Sequence, residues 1–302
     1  MNYNNPLLAD RINPRALFRG IARRLLRLLR TEPLARPPTD NKVGQLLLNR
    51  DYAAAVAAGT VPSIYEVGFR QYSQFEEDGI LLFLCAVIRP KRKVVLELCC
   101  GIGSESNTAN LIVNHGWSGV LVDGNPGNAV RTAEFYRNNP DTFYFQPVVC
   151  CDWITAENVN EIVKNAGLSG EIGLLSLDMD GMDYWIFRAL SVVNPEILVC
   201  EVNPCIPPSE TVTIPYQPNF KRSDEYFGAS LSAMTILAAK KNYRLVGTNR
   251  YGINAFFVRR DVAKDELPEY TPDQCFQRSD CAQRSANKNW SALSRRDWVK
   301  IA

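Results

Sequence analysis

The sequence predicts an α/β protein built on a doubly wound, mainly parallel sheet, and three observations predict it. Val94 to Leu98 is an apolar run with the length and Val/Leu content of a strand buried on both faces. It stops at Gly101-Ile102-Gly103, and a second run, Gly119 to Val122, ends on Asp123 after an interval, Ser104 to His115, long enough for a crossover helix. Beyond Asp123, helical and strand patterns keep alternating as far as Arg259, which calls for helices on both faces of one sheet.

Length and composition agree with one α/β domain carrying appendages. A chain of 302 residues, 46% of them hydrophobic and 10% aromatic, buries a full core. Its formal charge of +2 gives no overall electrostatic footprint for nucleic acid. The 9 cysteines are odd in number and lack CxxC spacing, which reads as a reduced, cytoplasmic setting. Cys99-Cys100, Cys150-Cys151 and Cys200 with Cys205 fall near three strand ends. Convergence on a metal or redox site is one reading; burial as small core residues is the commoner fate.

Taken in order, residues 1–40 predict a basic amphipathic helix and a proline linker. Arg15, Arg19, Arg23, Arg27 and Arg30 share one arc at helical spacing, and Leu17, Phe18, Ile21, Leu25, Leu28 and Leu29 the opposite one. Nothing there is long enough to span a bilayer. Peripheral contact of residues 15–30 with an anionic membrane surface, a transit peptide, and docking on the domain or a second subunit all stay open. Pro33, Pro37 and Pro38 make the linker, and the domain is expected over 41–262, with N-terminal helices in 41–90.

Asn41 to Gly59 has helical spacing with a glycine C-cap, and Ser73-Gln74 precedes a helix running to Ile88. After Asp123 the expected elements are a helix over 129–138, a strand over 143–149, a helix over 157–167, a strand over 172–178 and a helix over 184–190. A strand over 197–202, a helix over 230–241 and a closing strand pair, 243–246 with 253–258, come next. Residues 203–228 form a long loop rich in proline and aromatics that leaves the fifth strand over the expected site, and it reads as an acceptor lid. In it, Lys221-Arg222 either meets an anionic substrate or is a solvated tip. Residues 263–302 read as a polar tail packed on the surface.

Ligands of such sheets bind outside the carboxyl ends of the strands. Those ends hold Glu97, Asp123, Asp152, Asp178 with Asp180, and Glu201. Two glycines let backbone approach a ligand, and Asp123, 22 positions after Gly101, is placed to accept hydrogen bonds from both hydroxyls of a ribose. The dinucleotide fingerprint needs a glycine where Ser106 stands, so a pyrophosphate cradle is disfavoured, and Glu97 suits a ligand with an ammonium group. The only histidine, His115, falls at the end of the crossover helix away from these groups, so a histidine base is not expected.

Glu97-Leu98-Cys99-Cys100-Gly101-Ile102-Gly103 resembles motif I of class I S-adenosyl-L-methionine-dependent methyltransferases, with Cys99 in place of the first glycine, which leaves less room beside the methionine moiety. Together with the Ser73-Gln74 element upstream, LLSLDMDGMDYWIF at 174–187 and VCEVNP at 199–204, the chain resembles FkbM-like methyltransferases from Gln71 to Arg259. The resemblance implies a Rossmann-like sheet of seven strands in the order 3-2-1-4-5-7-6 with the last antiparallel. It implies S-adenosyl-L-methionine as cofactor and methylation, mainly O-directed, of a sugar, glycan or natural-product hydroxyl. The cofactor contacts expected are Gln74, Glu97, Gly101, Gly103, Asp123, Asn125, Asp152, Trp153 and Asp178.

Within that set Asp152-Trp153 falls where such enzymes contact adenine, although Asp152 equally suits capping the next helix. Asp178, Asp180 and Glu201 are the catalytic candidates, for methionine-amine or acceptor contact and proton transfer. Asp180 and Glu201 are also candidate ligands of a divalent cation such as Mg. The plainer reading has Asp180-Gly181 as a tight turn and Asp183 as a cap. Two other functions remain: a metal-dependent glycosyltransferase using Asp178-Met179-Asp180, and a non-catalytic module with a vestigial cofactor pocket.

Overall fold

The computed structural model describes residues 39–302, so the expectations for the helix at 15–30 and its linker lie outside the described residues. The chain divides after Gly44, and the unit Gln45–Ala302 carries the sheet and the site. A first helix, α1 (Thr39–Ala58), crosses that division and ends on Gly59 at φ 68°, in the left-handed region where glycine is favoured. No described helix is long and apolar enough to cross a membrane.

A seven-stranded sheet forms the centre. It is built from β1 (Val94–Leu98), β2 (Ser118–Asp123), β3 (Val148–Cys151), β4 (Gly170–Leu177), β5 (Val193–Glu201), β7 (Tyr243–Thr248) and β8 (Asn254–Arg259). The order across it is β3-β2-β1-β4-β5-β8-β7. A short strand, β6 (Val212–Thr213), lies outside it, so numbered within the sheet alone the order is 3-2-1-4-5-7-6, as expected. The five strands β3 to β5 across that order are parallel, and β8 runs antiparallel to both its neighbours.

Alternation along each strand feeds two cores. Leu96 and Leu98 of β1, Leu175 and Leu177 of β4, and Leu198 and Cys200 of β5 pack under α5 (Val159–Asn165), α6 (Asp183–Ala189) and α7 (Leu231–Lys240). Val95, Leu174, Ile197 and Val199 face the other way, under α2 (Glu77–Ile88) and α3 (Ala109–His115), with Tyr136 of α4 (Pro126–Asn138). Both faces are therefore dry, which explains why these strands read as unbroken apolar runs.

Two regions depart from expectation. The strand expected over 143–149 begins only at Val148. Asn139 and Thr142 instead close a turn, with Thr142 Oγ1 donating to the Tyr136 carbonyl at 2.6 Å, and Phe143, Tyr144 and Phe145 lie exposed on it. Aromatic β-propensity yields there to the turn chemistry of Asn139-Pro140. The segment 263–302 is not a plain tail: it forms α8 (Pro272–Gln277), α9 (Asp280–Leu293) and β9 (Val299–Lys300), and β9 pairs antiparallel with β6 of the 203–228 loop.

Candidate active site

The turn after β1 is sewn to its surroundings at every step. Cys99, Gly101 and Gly103 take φ of 65°, 61° and 75°. The N–H groups of Cys99 and Cys100 donate to the Val122 carbonyl at 2.8 and 3.1 Å. Asp123 Oδ2 accepts from the Gly101 N–H at 2.9 Å, while its Oδ1 accepts from the Asn125 N–H at 2.8 Å and from Asn128 Nδ2 at 3.2 Å. Asp123 thus fixes the glycine turn before it meets any ligand. With one donor against two on the other oxygen, Oδ2 keeps acceptor capacity for a further hydrogen bond.

Two expected cofactor contacts belong to this scaffold instead. Glu97 is buried and spends its carboxylate on the Ser106 and Thr108 hydroxyls and the Asn107 N–H, so it holds the loop entering α3 and does not line the cavity. Burial pushes its carboxyl up, opposed by those same donors. Ser106, at the position of the missing third glycine, donates to Glu97 at 2.7 Å. Gly103 faces α4: a Cβ there would stand 3.1 Å from the Thr132 Cα, so its role is close packing and not contact with a ligand.

A cavity of about 660 Å³ opens at the carboxyl ends of β1, β2 and β4. Gly101, Asp123, Asn125, Trp153, Asp178 and Gln74 all line it. Asn125 also caps α4, accepting from the Gly127 N–H at 2.8 Å. Trp153 is half-exposed, lies against Gly124, where a Cβ would come within 2.8 Å of the ring, and donates its indole N–H to the Pro218 carbonyl at 2.7 Å. Motif reasoning passes over Gly124, although its place directly after Asp123 is the available signal. Asp152 is exposed and does not line this cavity. Nor does it cap α5, whose N-cap position is Asn158; the Asn158 Oδ1 accepts from the Thr155 N–H at 2.7 Å.

The upstream element works differently from a simple cap. Asp78 Oδ2 accepts from the N–H groups of Gln71, Tyr72 and Ser73 and from the Ser73 hydroxyl, at 2.6 to 2.9 Å. The Ser73 oxygen accepts in return from the Asp78 N–H at 3.2 Å, so it steadies the first turn of α2 from outside, the N-cap position being Glu76. This knot fixes the backbone that carries Gln74 to the cavity.

The acidic end of the site is built on β4, β5 and the long loop. Asp178 lies deep in the protein yet opens on the cavity, and burial raises its carboxyl well above the ordinary range, with Asp183, Asp180, Glu97 and Glu77 adding to the effect. Glu201 is raised likewise by burial and by Asp178 and Asp183, against the pull of Arg222. Asp183 accepts from the Met179 and Gly181 N–H groups at 3.0 and 3.2 Å, closing the turn in which Asp180 takes φ 51°. Oxygens of Asp178, Asp180 and Glu201 lie within 4.8 Å of one another.

Arg222 is the site residue whose position the sequence left open. Its guanidinium turns inward, 3.1 Å from Glu201, 3.5 Å from Asp180 and 3.7 Å from Glu225, and stacks 3.6 Å from the centroid of Phe227. The carboxylate set has the hard oxygens a divalent cation takes, and Arg222 already lies 3.1 Å from Glu201 Oε1 and 3.5 Å from Asp180 Oδ1, a cation competing for the same cluster. His115, at the end of α3, pairs through Nε2 with Gln45 Oε1 at 2.8 Å, on the far side of the sheet ends from the cavity.

No protein-family model and no curated protein sequence matches this chain. Among solved structures it is similar to the glycopeptide N-methyltransferase MtfA complexed with sinefungin, at 11% identity and a TM-score of 0.37, over 61% of this chain and 86% of that one. It is similar to the CcbJ methyltransferase from Streptomyces caelestis at 13% identity and a TM-score of 0.38, over 61% and 94%. Magnesium protoporphyrin IX methyltransferase ChlM from Synechocystis PCC 6803 with bound SAM matches at 11% identity and a TM-score of 0.35, over 83% and 100%. Strand order and strand directions define the fold, and the site carries the functional reading.

Proposed function

We propose that this protein is an S-adenosyl-L-methionine-dependent methyltransferase of FkbM-like type, directed to a hydroxyl of a sugar, glycan or natural product. One observation carries the reading: the Gly101 turn is clamped by Asp123 at the ends of adjacent parallel strands, and the cavity beside it is floored by Asp178 at the next strand end. The spare acceptor capacity of Asp123 suits a ribose hydroxyl, the half-exposed ring of Trp153 suits adenine, and Asp178 with Gln74 suits the amino-acid end. When bound, the cofactor supplies an electrophilic methyl group. In this reading Glu201, whose Oε2 is without a partner, is the candidate to take the proton that an acceptor hydroxyl gives up as its oxygen gains that methyl.

The glycosyltransferase alternative needs a metal on Asp178-Met179-Asp180. It is the weaker reading because Arg222 already neutralises Asp180 and Glu201.

Calorimetric titration of S-adenosylhomocysteine into protein refolded free of ligand tests the proposal. Micromolar binding is expected, weakened by about 1.5–3 kcal/mol in Asp123→Ala if a charge-assisted hydrogen bond is lost. Absence of binding by demonstrably folded protein would sink it. Burial raises the Asp178 carboxyl above the ordinary range, and pairing with an ammonium group would favour its ionised form; affinity should therefore rise with pH, with any proton release visible as a dependence of the binding heat on buffer ionisation enthalpy.

A further inference from the structure

Beside the first cavity lies a second, of about 450 Å³, between the 203–228 loop and α9. The two share Gln74 and Arg222, whereas Glu201 lines only the second. Glu201 Oε2 is buried without a hydrogen-bond partner, while Oε1 accepts from Arg222. An orphaned buried acceptor costs roughly 1–3 kcal/mol, a cost that a ligand donor removes. Oxygens of Asp178, which lines the first cavity, and Glu201, which lines the second, lie within 4.8 Å of each other, so the two cavities adjoin at these carboxylates.

The wall contributed by α9 is chemically one-sided. Arg284, Ser285, Lys288 and Asn289 face the cavity, positions that fall together on one helical stripe. Arg222 is compensated by Glu201, Asp180 and Glu225, but neither Arg284 nor Lys288 is paired with a carboxylate among the described residues. The cavity thus has an inner oxygen seeking a donor and an outer wall with two uncompensated cations.

We propose that this second cavity holds the methyl acceptor, and that the acceptor is anionic, its carboxylate or phosphate pairing with Arg284 and Lys288 while a hydroxyl reaches Glu201 Oε2. The assignment rests on the methyltransferase reading of the adjoining cavity.

Titration of glucuronate, glucose 6-phosphate and glucose into the full chain, with and without saturating S-adenosylhomocysteine, tests it. At least one anionic sugar should bind tenfold or more tightly than glucose, and which of the two does so tells carboxylate from phosphate. The double substitution Arg284→Ser/Lys288→Ser should remove that preference and leave S-adenosylhomocysteine affinity unchanged. Equal binding of all three sugars, binding of neither anion, or a preference that survives the substitution overturns the anionic acceptor. Failure of the wild type to bind S-adenosylhomocysteine overturns instead the reading beneath it, and the sugar titrations made without that ligand keep the two failures apart.

Discussion

Cys99 occupies a left-handed backbone position at the edge of the candidate cofactor cavity, with its Sγ 3.4 Å from Met179 Sδ. A side chain costs about 1–2 kcal/mol there relative to glycine. Cys99→Gly should accordingly be more stable than Cys99→Ala by roughly 1 kcal/mol in urea unfolding, the reverse of the order expected inside a helix or strand. Asp78 offers a second residue-level test. Burial pushes its carboxyl up to about 6, against the pull of the N–H groups it accepts from, so its folded value lies above its unfolded one. Its contribution is therefore complete well below pH 4 and is lost as pH rises through about 6, and wild type should lose about 2 kcal/mol relative to Asp78→Asn between pH 4 and pH 7. A pH-independent difference in stability between the two proteins would contradict this. Residue types alone mark Asp123 and Asp178 as candidates, because each carboxylate ends a buried strand on the side where ligands of such sheets bind. Glu97 is misread from sequence because the donors that occupy it, Ser106 and Thr108, lie in a loop whose return path no periodicity reveals.

The 203–228 loop is the element that joins the two cavities, and Arg222 is the residue that pins it down. With its guanidinium removed, Glu201 and Asp180 lose their cation and the aromatic stack on Phe227 goes as well. Arg222→Ala should cost roughly 1–3 kcal/mol in stability, and limited proteolysis should cut within 217–225 at least several-fold faster. Unchanged cleavage would show that the loop is held by its other contacts, such as Trp153 to Pro218 and Trp185 to Ile214. The sequence discloses that this loop is too long to be idle, but the inward turn of Arg222 depends on partners from β4 and β5 that only the fold assembles. The late start of β3 has a nearer cause: Phe143 to Phe145 carry strand propensity, yet the bonds of Asn139 and Thr142 win locally.

At the scale of the molecule, the sheet order and the place of the site are legible because parallel strands buried on both faces leave an uninterrupted apolar record, and the crossover rule then fixes where ligands go. The segment 263–302 is not legible. Its helices are short or polar outward, and its closing strand has only the residues Val299 and Lys300. It nonetheless matters for stability, since Trp298 packs on Tyr226 and Trp290, and the Tyr226 hydroxyl donates to the Asp297 carbonyl. Deleting residues 294–302 should lower Tm by roughly 5–10 °C in a thermal melt while S-adenosylhomocysteine still binds, because the Gly101 and Asp123 clamp lies elsewhere. The pairing of β6 with β9 also sets a clock on biosynthesis. The 203–228 loop emerges from the ribosome well before the strand that ties it, so a nascent chain with its sheet already formed still lacks the pairing that closes this edge of the fold.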